Sequence, residues 1–390
     1  MKILTIFIDM IRPNRLSTFN PNNKINTPLD VAFKELGGTV YTNCFSPGPD
    51  TPRGISTFLT GLDPYKNGCN TRLKWPQYFL NKGLITVFDL FIENNYKVDC
   101  FSPLQHQTLG IFPDHIAKMD IHNKDHKMNE YLSNIKLQDK HFVFVDIYDY
   151  HMAIDDIGPS TYGEKKSYQI VKDAYEIVFK NLKKEDFDHI FIFSDHGFKF
   201  SVEAKFEDKK MMINRDRTNC ILIHRTKNQT KIEINDRLCS LADLKPTYEQ
   251  ILNRASSNND GYSILGEKCR EFITIEDHID FAPSVNQNLE LWAVVKKDYI
   301  YIRTLDEAIV INASNKIISK TIDKYNDEIL KKNSSFGIYL DEYEKIFRYI
   351  ESKENKYSYM NGKKREKQGR LYRIFFSACD VIKKKFLNKY

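Results

Sequence analysis

Three short stretches constrain this chain more than anything else in it: KILTIFID at 2–9, HFVFVDIYDYH at 141–151 and HIFIFSDHG at 189–197. Each opens on a run rich in Ile, Val and Phe that is too short for an ordinary helix and unbroken by Gly or Pro. Such runs are typical of strands buried on both faces. Each also runs straight into groups that can bind a cation or move a proton: Asp9, then Asp149 with His151, then Asp195 with His196. Strands of this kind need helices on both sides, and parallel strands deliver their carboxyl ends to one edge, where ligands bind in open α/β sheets.

The intervening sequence supplies the helices. Residues 54–59, 84–94, 164–182 and 241–252 read as helical, and 39–46, 96–102 and 219–224 as further strands. With 390 residues and 41% apolar content, the chain has material for a large core. The expected fold is α/β, a mostly parallel sheet flanked by helices, over residues 1–255. After a polar loop at 256–261 the pattern changes: 271–278, 289–303 and 308–311 read as antiparallel strands, and 323–332 and 340–352 as helices. This smaller α+β subdomain is expected over 256–353. Residues 354–390 read as a basic linker followed by an amphipathic helix, with Leu371, Ile374, Phe375, Ala378, Ile382 and Phe386 on one face.

Several function classes recede on composition. The seven cysteines are scattered singly, with no CxxC pair, which argues against a disulfide framework and a thiolate zinc site and points to a reducing compartment. The N-terminal apolar run is interrupted by Asp9 and is too short for a signal sequence, so a cytoplasmic location is expected. A net charge of +6 is too small over this length to mark a nucleic-acid binder.

The stretch CFSPGPDTPRGISTFLTG, 44–61, passes from a Pro/Gly-rich loop into an apolar helical pattern, with Thr51 at the junction. Two readings of Thr51 stand side by side. Its hydroxyl can cap the helix, or it can act as a nucleophile whose pKa a divalent cation lowers, with the helix N-terminus stabilising an anion. Asp9 and the Asp195–His196 pair have the same duality between loop capping and metal binding.

Taken together, ILTIFIDMIRPNRLS, the stretch from Ser46 to Gly61, FVFVDIYDYH, FIFSDHG, CSLADLKPTYEQIL and DGYSIL resemble, in order, the sulfatase-like branch of the alkaline phosphatase superfamily. The resemblance covers roughly residues 1–300. It implies a nucleophile ten residues before the glycine of Leu-Thr-Gly, which is Thr51. Sulfatases proper carry Cys or Ser there because the residue is oxidised to formylglycine. Thr cannot give that aldehyde, and the resemblance therefore implies the threonine members that transfer or hydrolyse phosphoryl groups. It implies one metal held by Asp9, Thr51, Asp195 and His196. Zinc or manganese suits carboxylate plus imidazole better than magnesium or calcium, and a second cation near Asp149, Asp155 and Asp156 is left open. Met10 stands where many members have a second acid.

By the same resemblance His151 would touch the transferred group or protonate the leaving group. Arg53, and a basic residue among Lys209, Lys210, Arg215 and Arg217, would bind the substrate's phosphorus oxygens. The expected partner is a phosphorus-containing small molecule or a glycan, including a lipid-linked one. The C-terminal helix offers either a peripheral contact with an anionic membrane or a face packed on the catalytic domain. His122 and His126 read as surface residues, and His106, His115 and His278 have no assigned role. The rivals are a catalytically inactive scaffold of the same fold and a nucleic-acid binder acting through the basic tail.

Overall fold

The computed structural model describes residues 1–69, 80–103, 106, 111–112, 128–157, 161–198, 213–279, 289–303, 308–312, 314 and 317–321. The helices expected at 323–332, 340–352 and 371–386 and the linker at 354–368 lie outside these residues, as do His115, His122, His126, Lys209 and Lys210. The chain divides into two compact units, residues 1–278 with 290–326 and residues 279–289 with 327–390. The site described below belongs to the first.

Eight strands make the main sheet: β1 (Lys2–Ile8), β2 (Gly38–Phe45), β3 (Lys97–Phe101), β4 (His141–Ile147), β5 (His189–Phe193), β6 (Asn219–Cys220), β7 (Leu222–Thr226) and β8 (Ile232–Ser240). Their order is β3-β4-β1-β5-β7-β2-β6, with β8 also paired to β2. Pairs β3–β4, β4–β1, β1–β5 and β2–β8 are parallel, and only β6 and β7 run against their neighbours. The mostly parallel sheet expected from the sequence is present.

Period-two alternation splits the two faces by chemistry. Leu4, Ile6, Ile8, Val143, Val145 and Ile147 line an aliphatic core. The residues between them, Ile3 and Phe7 on β1 and Phe142 and Phe144 on β4, line an aromatic one. Helices α1 (Pro28–Leu36) and α7 (Thr161–Asn181) contribute Phe33, Val171 and Val178 to the aliphatic core. Helices α2 (Thr51–Thr60), α4 (Val87–Glu93) and α9 (Leu244–Ile251) bring Phe58, Phe91 and Tyr248 to the aromatic core. Phe91 stacks on Phe142 with centroids 4.0 Å apart, and Phe58 lies 4.5 Å from Phe193. Each such ring contributes about 1.5–3 kcal/mol of burial. The other α-helices among the described residues are α3 (Pro64–Asn67), α5 (Met128–Ser133), α6 (Asp149–Ile157) and α8 (Arg215–Thr218).

Three local departures from the sequence reading have physical causes. Helix α2 begins at Thr51, three residues before the expected start, because Asp50 caps it. The stretch 289–303 is two strands, β10 (Leu289–Val295) and β11 (Tyr299–Arg303), because the charged Lys296–Asp298 segment turns and Lys296 N–H bonds Tyr299 O at 2.8 Å. Strand β8 escaped the pattern because its first half is polar and partly exposed beside β2. With β9 (Ile273–Ile279), β12 (Ala308–Asn312) and β13 (Ile317–Thr321), β10 and β11 form a second, five-stranded sheet. The three pairings that run from β10 to β13 are antiparallel.

Candidate active site

Parallel pairing in register sets the site. Phe7 of β1 lies beside Phe193 of β5, so Asp9 and Asp195, each two residues further on, arrive at the same level. Asp9 N–H donates to Ile147 O at 3.1 Å, prolonging β1 along β4. At Met10 the backbone adopts a left-handed φ of 64°, a conformation that costs an L residue about 1 kcal/mol. It brings the Met10 amide onto Asp195 Oδ1 at 3.1 Å. Asp9 and Asp195 are both fully buried.

Thr51 reaches the same point from β2. The N-cap of α2 is Asp50, whose carboxylate accepts Arg53 N–H at 3.1 Å. Thr51 is the first helical residue and its hydroxyl is released from capping. It lies 3.4 Å from Asp9 Oδ1 and 3.2 Å from His196 Nε2. Gly54, one turn later, lets the helix press on the acid: a Cβ there would stand 2.5 Å from Asp195 O and 2.8 Å from its Cβ.

His196 Nδ1 lies 2.7 Å from Gly197 O, a carbonyl that can only accept, so Nδ1 carries the proton and Nε2 keeps its lone pair toward the acids in the neutral ring. Nε2 lies 3.4 Å from Asp195 Oδ2 and 3.8 Å from Asp9 Oδ1. Asp195 Oδ2 is buried without a hydrogen-bond partner among the described residues. Burial, with the Asp9 carboxylate adding to it, pushes the Asp195 carboxyl up to about 7.

The other oxygen of Asp9 meets two histidines. His151, on α6, places Nδ1 2.8 Å from Asp9 Oδ2 and Nε2 3.4 Å from Asp155. Burial opposes a charge on His151, but the Asp9 carboxylate and a hydrogen bond to Asp155 raise it to about 10. His106 is the residue the sequence left without a role. It is buried, with Nε2 3.3 Å from Asp9 Oδ2 and Nδ1 2.7 Å from Asp146 Oδ2. Burial disfavours the charge on Asp9, yet His151 and hydrogen bonds from His106 and His151 hold it well below the usual carboxylate range. The signal for Asp146 was present in β4: Phe7, Phe144 and Phe193 of the aromatic face are each followed two residues later by an Asp, namely Asp9, Asp146 and Asp195.

The structure thus brings Asp9, Thr51, His151, Asp195 and His196 together. Arg53 sits elsewhere: fully buried, it pairs with Asp50 and approaches Asp277 Oδ1 at 3.6 Å and Glu276 Oε1 at 3.8 Å. Two buried carboxylates, Glu276 and Asp277, and the half-buried Asp50 lie around its guanidinium. Arg217 donates to Pro49 O at 3.0 Å, and Arg215 to Asn43 and to Lys296 and Lys297 carbonyls. Lys209 and Lys210 lie outside the described residues.

Ligand atoms of Asp9, Asp195 and His196 all lie within 4.8 Å of one another, and among the described residues they form the one such group of three. Two carboxylates, an imidazole lone pair and a hydroxyl, with one orphaned carboxylate oxygen facing the group, form a donor set that fits a single divalent cation. Asp149, Asp155 and Asp156 do not enter a comparable group among the described residues. No helix among the described residues is long and apolar enough to cross a membrane.

No family model matches the chain, and no curated protein matches it in sequence. Solved structures do match. A 2-O GAG sulfatase superposes with a TM-score of 0.69 at 15% identity, over 89% of this chain and 92% of its own. A phosphonate monoester hydrolase of Agrobacterium radiobacter gives 0.57 at 13% identity, over 90% and 96%. An alkaline phosphatase superfamily protein from Vibrio parahaemolyticus gives 0.57 at 12% identity, over 90% and 87%. The chain shares its fold with these three structures.

Proposed function

We propose that the chain is a metal-dependent enzyme acting on phosphorus esters, by hydrolysis or transfer, through a phospho-threonine intermediate. The observation that carries this reading is the placement of Thr51: the cap of its helix is Asp50, and its own hydroxyl is aimed at Asp9 and His196. The structural relatives named above include a 2-O GAG sulfatase and a phosphonate monoester hydrolase. Thr51 favours the phosphorus side, because threonine has no route to the formylglycine aldehyde.

Asp9, Asp195, His196 and Thr51 would hold the ion, zinc or manganese on their chemistry. When bound, a divalent ion supplies charge neutralisation and lowers the pKa of an adjacent hydroxyl. Thr51 Oγ1 attacks phosphorus in line and forms the new P–O bond as the bond to the leaving oxygen breaks. The threonine proton is released to solvent water as the new bond forms, with Asp9 Oδ1, 3.4 Å away, orienting the hydroxyl. His151, held protonated between Asp9 and Asp155, donates to the leaving oxygen. With carboxylates around Arg53, positive charge beside the non-bridging oxygens falls to His151. Water or an acceptor hydroxyl, such as one on a glycan, then displaces Thr51 and releases the group.

The test is metal analysis together with a panel of phosphomonoesters, phosphodiesters, phosphonates and sulfate esters, run on the wild type and on Thr51→Ala. Turnover of phosphorus esters that Thr51→Ala abolishes supports the reading, and turnover of sulfate esters alone overturns it. For the basic C-terminal segment we propose a contact with anionic membranes, where lipid-linked glycans are assembled. A chain truncated after residue 368 that binds anionic vesicles as well as the full chain would contradict that role.

A further inference from the structure

Asp146 is a buried acid beside the site that the reaction above leaves without a task. It lies on β4, facing the aromatic core, and is 2% exposed. Its Oδ2 accepts Ser102 Oγ at 2.6 Å and faces His106 Nδ1 at 2.7 Å. The His106 ring is held on its other sides by Phe7, with centroids 5.7 Å apart, and edge-on by Tyr148 at 4.7 Å. So fixed, the ring presents Nε2 to Asp9 Oδ2 at 3.3 Å. Asp9 Oδ1 then faces Thr51 and His196.

From this chain of contacts we infer that Asp146 is a positioning residue: through His106 it holds the Asp9 carboxylate so that Oδ1 is presented to the cation and to the nucleophile. The physical reason is geometric. A carboxylate can rotate about its bond to Cβ, and exchanging its two oxygens costs little unless one is pinned. A buried carboxylate–imidazole pair pins it, as outer partners of metal ligands commonly do, and loss of such a partner typically lowers metal affinity about 10–100-fold. Ser102 sets the direction of the Asp146 oxygen in turn, so β3, β4 and β1 are tied together at the level of the site.

This inference rests on the metal-site reading, and its test separates the two. Zinc and manganese dissociation constants are measured on the full chain for wild type, Asp146→Asn, His106→Ala and the double variant, with urea midpoints alongside. Asp146→Asn is expected to weaken the ion by about 10–100-fold, and in the His106→Ala background the same substitution is expected to change nothing further, because it acts through the imidazole. Undiminished affinity in Asp146→Asn, or an equal loss with and without His106, overturns the inference while leaving the metal site intact. A wild type that takes up neither ion overturns the metal site and the inference with it. Should Asp146→Asn unfold, Ser102→Ala, which removes only the hydroxyl steering the same oxygen, is expected to show a smaller loss that also vanishes without His106. A Ser102→Ala loss that persists without His106 would contradict the inference.

Discussion

Asp50 and Thr51 divide between them two tasks that a helix N-terminus usually gives to one residue: Asp50 accepts the Arg53 amide, and Thr51 keeps its hydroxyl for Asp9 and His196. Stability and activity therefore separate at adjacent positions. Asp50→Ala is expected to destabilise the fold by about 1 kcal/mol through loss of the cap. Thr51→Ala is expected to cost less, since alanine is the better helix former by about 0.5 kcal/mol, while abolishing turnover. Urea midpoints of the two variants measure this directly. A cost in Thr51→Ala equal to that in Asp50→Ala would mark the hydroxyl as structural.

Gly54 gives a prediction opposite to helix propensity. Alanine for glycine inside a helix ordinarily gains about 1 kcal/mol. Here the added Cβ meets the backbone of Asp195 at 2.5 Å, and neither element can yield without moving the site. Gly54→Ala is expected to lose about 1–3 kcal/mol by overpacking and to weaken zinc binding. A more stable variant with unchanged affinity would show that the close approach is not required.

Much of the site was legible because its residues end strands. Asp9, Asp195 and His196 follow runs whose composition announces them, and Thr51 lies at a loop-to-helix junction. Asp146 was hidden because a single acid within HFVFVDI reads as an interruption of a buried strand, not as part of a site. His106 was hidden because it lies past the end of β3, in a segment without periodicity, and only the placement of β3 beside β4 gives it Asp146. The carboxylate partners of Arg53 were hidden for a related reason: Glu276 and Asp277 come from β9 of the second sheet, and no local pattern connects them.

Behind the site, Glu164 Oε1 accepts from Arg12 Nη2 at 2.8 Å and Nε at 3.1 Å, and from the hydroxyls of Tyr168 and Tyr150, the neighbour of His151. Arg12 is fully buried. Glu164→Ala is expected to cost about 3 kcal/mol, the scale for breaking a buried ion pair from one side, and to reduce turnover by loosening α6. Chemical denaturation and steady-state rates check both effects. A loss below about 1 kcal/mol would place the pair among the weak surface bridges.

Acid sensitivity should come in part from the opposite end of the sheet. His224 stacks on His189 with ring nitrogens 3.0 Å apart, and burial, with His189 beside it, lowers its pKa to about 3. The native state thus holds His224 neutral, whereas the unfolded chain protonates it near 6.5. Its stabilising contribution is complete above that pH and is lost as pH falls toward 3, by up to about 1.4 kcal/mol per unit. His224→Phe is expected to flatten the stability profile between pH 6.5 and 4. Parallel profiles for variant and wild type would assign the acid sensitivity elsewhere.

The claim on which the account turns is that Thr51 carries the group in transit. Acid quench of the zinc- or manganese-loaded protein during turnover of a phosphorus ester, followed by peptide mapping, tests it most directly. The expected result is phosphate on Thr51 that appears with turnover and is absent from Thr51→Ala, which is itself inactive. Phosphorus-ester turnover that continues at full rate in Thr51→Ala, with Thr51 unmodified in the wild type, would contradict it.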